Sequence, residues 1–191
     1  IEGIVYMASP VSQRKHGKPH FLIGTWLGNY NALTPGTEGG DNSTLRLDLD
    51  NEPQPDLFLM IAAESGGRAK IDNDDYVSGA PELIIEVSAS SVSYDLHEKL
   101  RAYRRNGVNE YLVWRTLDQA FDWFVLNEGE YQRLDADETG ILKSRIFHGL
   151  WLDAAALLRG DMKQVLTTLQ LGLGTAEHAA FIASLREKVK R

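Results

Sequence analysis

The sequence contains no cysteine. Disulfides and thiolate-bound metals are therefore excluded, and the chain suits a reducing cytosol. No apolar run approaches the roughly 20 residues a membrane helix needs, and no secretory pattern opens the chain. Gly-x-Ser-x-Gly, the phosphate-loop motif and His-Glu-x-x-His are all missing, as are internal repeats and low-complexity segments. Positive charge is scarce: 20 Lys and Arg face 27 Asp and Glu, for a formal net charge of −7. A protein that coats nucleic acid indiscriminately needs the opposite balance, because phosphate contacts require Lys and Arg. What remains is an ordinary globular composition. With 43% hydrophobic and 25% charged residues over 191 positions, the chain can bury one proper core.

Charge is unevenly distributed. Ten acids between Asp48 and Glu86 face only Arg68 and Lys70, whereas residues 9–20 carry Arg14, Lys15 and Lys18 and no acid. Lys99, Arg101, Arg104 and Arg105 form a second basic cluster. An acidic metal site flanked by basic surfaces produces this pattern, and so do ordinary solvated faces.

Hydrophobic periodicity gives the elements. Ile4-Val5-Tyr6-Met7 reads as a short strand before a polar loop. Leu22, Ile23, Trp26, Leu27, Tyr30 and Leu33 recur at helical spacing over residues 16–33, with Pro19 in the first turn, where it is tolerated. Residues 34–43, rich in Gly and Pro, read as a loop. Leu45, Leu47 and Leu49 alternate with Arg46, Asp48 and Asp50, the pattern of a half-buried strand. Leu57–Ile61 and Leu83–Val87 are continuous apolar runs of buried-strand length. Between them, residues 62–81 predict a long loop or ragged hairpin. Asp95 with Glu98 resembles a capping box for a helix that stops at Asn106-Gly107. Strands follow over 111–114, 120–126 and 131–134, then helices over 153–159, 162–171 and 175–190. A strand–helix–strand passage usually gives a parallel pair, so the expected fold class is α/β in the broad sense, a mixed sheet with helices packed on it. We expect one domain over residues 1–160 and a helical extension over 161–191.

Glu86 stands out because every neighbour in Leu-Ile-Ile-Glu-Val demands burial, and a buried carboxylate is costly unless paired or metal-bound. Asp56 opens the preceding apolar strand. If the two strands are antiparallel, Asp56 and Glu86 converge at one end of the sheet and offer the hard oxygen donors that suit Mg²⁺. Lys99 borders the helical stripe formed by Leu96, Leu100 and Tyr103, from which it can reach back toward Glu86. Singly, an acid in a strand is more often an ion-paired residue than a ligand, and a lysine beside an apolar stripe usually snorkels to water. The three together, in this order on these elements, point to a functional site rather than a structural one.

These residues carry a family likeness. Gln-Pro-Asp56, Pro-Glu-Leu-Ile-Ile-Glu86-Val and Glu98-Lys99-Leu, followed by Tyr103 and Asn-Gly-Val-Asn-Glu-Tyr, resemble the Uma-two family of restriction-type endonucleases in the PD-(D/E)XK nuclease superfamily. The likeness runs from about Glu2 to Leu158 and implies a restriction-endonuclease-like core. The superfamily motif places a lysine two residues after the second acid, where this chain has Ser88; in the resembling family the lysine sits on the following helix, and Lys99 matches it. His16 matches a family histidine at the start of the first helix, though a surface or capping role fits its position equally. The family also carries an acid just before the strand corresponding to Ile4–Met7. By the resemblance that position is expected before Ile1, and Glu2, though close, fits a neighbouring position. Arg115 stands where many members have an acid, and residues 88–93 differ from the commoner loop.

The resemblance implies phosphodiester hydrolysis with Mg²⁺ (or Mn²⁺) held by Asp56, Glu86 and the Val87 carbonyl, catalysis by Asp56, Glu86, Lys99 and His16, and nucleic acid, DNA first, as partner. A catalytically silent fold that binds DNA or protein is the main rival. A glycosidase using the paired acids lacks an aromatic sugar platform and leaves the lysine unexplained. Apolar residues in the tail (Leu166, Leu169, Leu171, Leu173, Phe181, Ile182, Leu185) suggest a homodimer.

Overall fold

The computed structural model describes residues 1–4 and 11–189. The strand expected at Ile4–Met7 lies, past its first residue, outside them. A π-helical turn, Gln13–Gly17, runs straight into α1 (Lys18–Leu33), with Pro19 in its first turn as expected. Next come β1 (Thr37–Asp41), the short β2 (Leu45–Arg46), β3 (Leu57–Ile61), the two-residue strands β4 (Lys70–Ile71) and β5 (Val77–Ser78), and β6 (Leu83–Ser88). One helical run follows: α2 (Val92–Tyr94), a second π-helical turn, Asp95–Lys99, and α3 (Leu100–Arg105). Gly107, at φ +76°, supplies the left-handed exit. The chain continues through β7 (Glu110–Arg115), β8 (Ala120–Asn127), β9 (Glu130–Arg133), β10 (Ile141–Lys143), β11 (Trp151–Asp153), α4 (Ala154–Arg159), α5 (Met162–Leu173) and α6 (Ala176–Val189).

The central sheet has six strands in the order β1-β3-β6-β7-β8-β9. Only β6 and β7, joined through α3, run parallel; the other neighbours are antiparallel. Alternation along each strand assigns the faces. Leu57, Leu59, Leu83, Ile85, Leu112 and Trp114 pack under Ile23, Trp26 and Leu27 of α1. Phe58, Ile84, Tyr111 and Val113 pack with Tyr103 of α3 on the other face. Each such Leu or Ile contributes about 1.5–3 kcal/mol by leaving water. By the same alternation Glu86 belongs to the α3 face. The α/β class read from the sequence is the observed one.

Three expectations are corrected and one element is added. Residues 34–43 are not all loop, because β1 forms within them despite Gly39 and Gly40. At Gly40 a Cβ would lie 2.2 Å from the Phe58 ring, so the glycine that argues against a strand lets this one lie on its neighbour. The Leu45–Leu49 alternation yields only β2. An Asp48–Asn51 turn, in which Asp48 accepts from the Asp50 amide and the Asn51 side chain, folds the chain back and leaves Leu49 exposed. The β10–β11 hairpin is an addition, too short to read from periodicity. Finally, the apolar tail does not face outward as the homodimer expectation supposed. Leu169 and Leu185 are fully buried, Leu166, Leu173 and Phe181 pack against the main core, Ile182 is half-buried, and Leu171 is 65% exposed.

Candidate active site

Pairing of β3 with β6 sets the site. Leu57 faces Ile85, so one step beyond the last pair Asp56 comes opposite Glu86. The two carboxylates therefore share one end of the sheet, as their sequence positions require. Asp56 is fixed there through Oδ2, which accepts a 2.6 Å hydrogen bond from the Val87 amide. In a strand the N–H and C=O of a residue leave on the same edge, so the Val87 carbonyl points to the edge on which Asp56 lies.

From the α1 side, His16 sets its Nε2 3.0 Å from Asp56 Oδ1. The π-helical turn that carries His16 is clamped to the sheet by Thr116, whose hydroxyl donates to the Lys15 carbonyl at 2.7 Å. The hydrogen bond to Asp56 raises the His16 pKa against the opposing effect of burial. Burial pushes the Asp56 pKa upward, but the hydrogen bonds from His16 and the Val87 amide outweigh it and leave the carboxyl below its ordinary value. His20, one helical turn further on, brings Nδ1 to 4.0 Å from the same oxygen of Asp56. Its Nε2 lies 3.2 Å from Asp41 Oδ2, near enough for an ion pair but out of line for a hydrogen bond. Sequence reading missed His20. Its four-residue spacing from His16 was the available signal, since i and i+4 share a helix face.

On the opposite face Glu86, 4% exposed, accepts from the Tyr103 hydroxyl at 3.0 Å and pairs with Lys99 Nζ at 2.8 Å. Lys99 also lies 3.1 Å from Asp95 Oδ1, and Asp95 Oδ2 accepts from the Ser91 hydroxyl at 2.6 Å. The capping box expected at Asp95 and Glu98 does not form. The helix begins three residues earlier, at Val92, and buries Asp95 inside its π-helical turn. That turn is held to the sheet by the Tyr111 hydroxyl, which donates to the Asp95 carbonyl at 3.1 Å. Single π turns inside helices recur at functional sites, and here both of them carry residues that converge on one sheet end. Burial lifts the Glu86 pKa to about 7, against the pull of Lys99. Burial opposes the charge on Lys99 too, but Glu86 and Asp95 overcome it, and its pKa rises.

Glu86 and Asp95 thus share the one lysine, Asp95 Oδ1 has no partner beyond it, and Asp56 lies near enough from the other side to raise the Glu86 pKa. Such a set is short of positive charge, and its hard oxygen donors fit a divalent cation.

Basic residues lie alongside. Arg14, Lys15, Lys18 and Arg159 line a cleft with Thr116. In the other basic cluster, Arg104 pairs with Glu130 and Arg105 with Glu2, which leaves that cluster less free for phosphate. Arg115 is held by Asp118 and Asp122.

A mixed sheet with helices on both faces and acids gathered at one strand end is a restriction-endonuclease-like fold. The family model described as "Putative restriction endonuclease" matches residues 1–155, and the chain belongs to that family, Uma-two. Among solved structures it is similar to a "putative nuclease belonging to DUF820" from Anabaena variabilis ATCC 29413, with a TM-score of 0.54, 11% identity, and coverage of 85% of this chain and 86% of that one. No curated protein matches the sequence. Among the described residues, no helix is long and apolar enough to cross a membrane.

Proposed function

We propose that this protein is a metal-dependent endonuclease that hydrolyses phosphodiester bonds in DNA. The carrying observation is the set of Asp56 and Glu86 side by side at one sheet end, with the Lys99 ammonium 2.8 Å from Glu86. Asp56, Glu86 and the Val87 carbonyl would hold Mg²⁺ or Mn²⁺. When bound, such an ion acidifies a water and polarises the scissile phosphate.

The remaining work belongs to side chains. Lys99, its pKa raised, stays protonated, so it serves as a donor that orients the attacking water and offsets charge on the phosphate rather than as a base. His16 keeps Asp56 ionised and fixed in direction. Arg14, Lys15 and Lys18 would grip the backbone of the nucleic acid, which positions it without reading sequence. One observation favours a silent DNA- or protein-binding fold instead: Lys99 and Tyr103 already satisfy one oxygen of Glu86.

Paired mutants separate the two readings. Mg²⁺ should raise the melting temperature of the wild type, and Glu86→Gln should abolish that shift. Lys99→Ala should keep the shift yet lower DNA cleavage by about 10²–10⁴-fold, the range for loss of a positioned proton-handling or charge-stabilising group. Wild-type protein that retards DNA but leaves it intact with Mg²⁺ or Mn²⁺ would replace the enzyme with the silent fold. Glu86→Gln responding to Mg²⁺ like the wild type would remove Glu86 from the ligand set.

A further inference from the structure

Among the described residues, His16, His20 and Asp56 form the one group of three or more His or acidic side chains whose ligand atoms all lie within 4.8 Å of one another. Glu86 is not part of it. We propose that these three side chains form a second cation site, selective for a nitrogen-preferring divalent ion such as Zn²⁺ over Mg²⁺, with Asp56 common to both sites.

Four features support the assignment. The two histidines sit four residues apart on one helical run, so both rings project from one side of it. Asp56 is already oriented: the Val87 amide holds Oδ2, while Oδ1 faces His16 Nε2 at 3.0 Å and His20 Nδ1 at 4.0 Å. His20 turns its other nitrogen toward Asp41, at 3.2 Å. The hydrogen bond is not in line as the ring stands, but a small rotation on binding an ion would let that nitrogen donate to Asp41, the usual companion of a metal-bound histidine, which fixes the tautomer and makes the ligating nitrogen more basic. An ion also has a way in, since the side chains of His16, His20 and Asp56 stay 22%, 15% and 12% exposed.

The donor set decides the ion. Two imidazoles and one carboxylate suit Zn²⁺ and similar transition metals, whereas Mg²⁺ keeps to oxygen ligands and to its waters. Three protein ligands also leave a fourth position for water or substrate, the coordination of reactive rather than structural zinc sites. His20 and Asp41 line a cavity of about 410 Å³ between α1 and β1, with Phe21, Gly24, Gly28 and Gly40 around it, so a small ligand has room beside the ion. The site does not depend on the Mg²⁺ assignment, although it shares Asp56 with it.

Calorimetric titration of the full chain with Zn²⁺, backed by the visible spectrum of the Co²⁺ form, tests the proposal. The wild type should bind one ion, and Co²⁺ should show the absorption of a nitrogen-ligated, low-coordinate centre. His20→Gln and His16→Gln should each weaken Zn²⁺ by more than about 100-fold, and Asp41→Asn by about 10–100-fold. Glu86→Gln should leave Zn²⁺ affinity within about threefold of wild type. Melting curves recorded without metal confirm that each variant is folded, and a variant that does not fold is replaced by His20→Ala. The proposal is overturned if the wild type takes up no Zn²⁺ or Co²⁺, if the double variant His16→Gln/His20→Gln binds like wild type, or if Glu86→Gln loses Zn²⁺ as His20→Gln does. A chain that binds Zn²⁺ but ignores Mg²⁺ and leaves DNA whole sinks the endonuclease reading alone. One that cleaves with Mg²⁺ but refuses Zn²⁺ sinks the second site alone.

Discussion

Two glutamates on neighbouring strands are buried at opposite ends and on opposite faces of the sheet. Glu110 starts β7 opposite Leu83, whereas Glu86 lies near the end of β6 opposite Val113. Burial lifts both pKa values to about 7. Their partners differ in kind. Glu110 accepts from four neutral groups: the Ser144 hydroxyl at 2.9 Å, the Trp123 indole at 3.1 Å, and the amides of Arg145 and Ile146 at 2.5 and 3.1 Å. Both its oxygens are held by fixed donors, and this ties the loop before β11 to the sheet. Glu86 has one hydroxyl, one lysine, and two further carboxylates close enough to raise its pKa. A buried acid surrounded by fixed neutral donors is a structural joint. One whose countercharge is shared with rival acids is the arrangement that the proposed metal site would use.

Breaking that contrast requires substitutions at both ends. Glu110→Ala should cost about 3–5 kcal/mol of folding stability, because four buried donors lose their acceptor. Glu86→Gln should cost no more than about 1 kcal/mol, since Lys99 keeps Asp95. Urea unfolding of both gives the answer, and equal losses would erase the distinction between joint and site.

A smaller effect lies in pH. Because the folded pKa of Glu110 is raised from 4.5 to about 7, its contribution is complete below pH 4.5 and is lost as pH rises through 7. Wild type should therefore lose about 1–3 kcal/mol relative to Glu110→Gln between pH 4.5 and 7.5. Parallel stability curves for the two proteins would show that the hydrogen bonds, not burial, set this ionisation. The supporting serines divide in the same way as the glutamates, and Ser91 gives the smallest effect. Ser144→Ala should cost about 1–2 kcal/mol, because its hydroxyl also accepts from the Phe147 amide. Ser91→Ala, at an exposed position beside Asp95, should stay within about 0.5 kcal/mol.

The same contrast explains what could be read in advance. Glu86 was legible because a charge inside an apolar run is an anomaly, and Asp56 and Lys99 followed from strand order and helical spacing. His16 came through family likeness and its partner His20 was passed over, since a histidine on an amphipathic helix is unremarkable until the opposite strand end is known. Asp95 was misread because an acid three residues before a glutamate imitates a helix start, and only the tertiary fold reveals that the helix is already under way. Glu110 gave no sign, for its four donors come from residues 13 to 36 positions away. β1 was hidden by the glycines that its packing against Phe58 demands.

The wide turn at Asp95–Lys99 has a consequence for how the chain tolerates insertion and deletion. Each residue of a helix advances about 100°, so a π turn amounts to one extra residue lodged in an otherwise regular spiral. Removing His97, which is exposed, would let the spiral close into an ordinary α-helix, with α3 still joined to β7. Asp95 and Lys99 would then stand three residues apart instead of four, and the ammonium would swing off its line to Glu86. The shortened protein should melt near the wild type yet cleave no faster than Lys99→Ala. The length of this turn would thus matter to the site as much as the identity of Asp95 and Lys99, even at an exposed residue such as His97 that touches nothing in it.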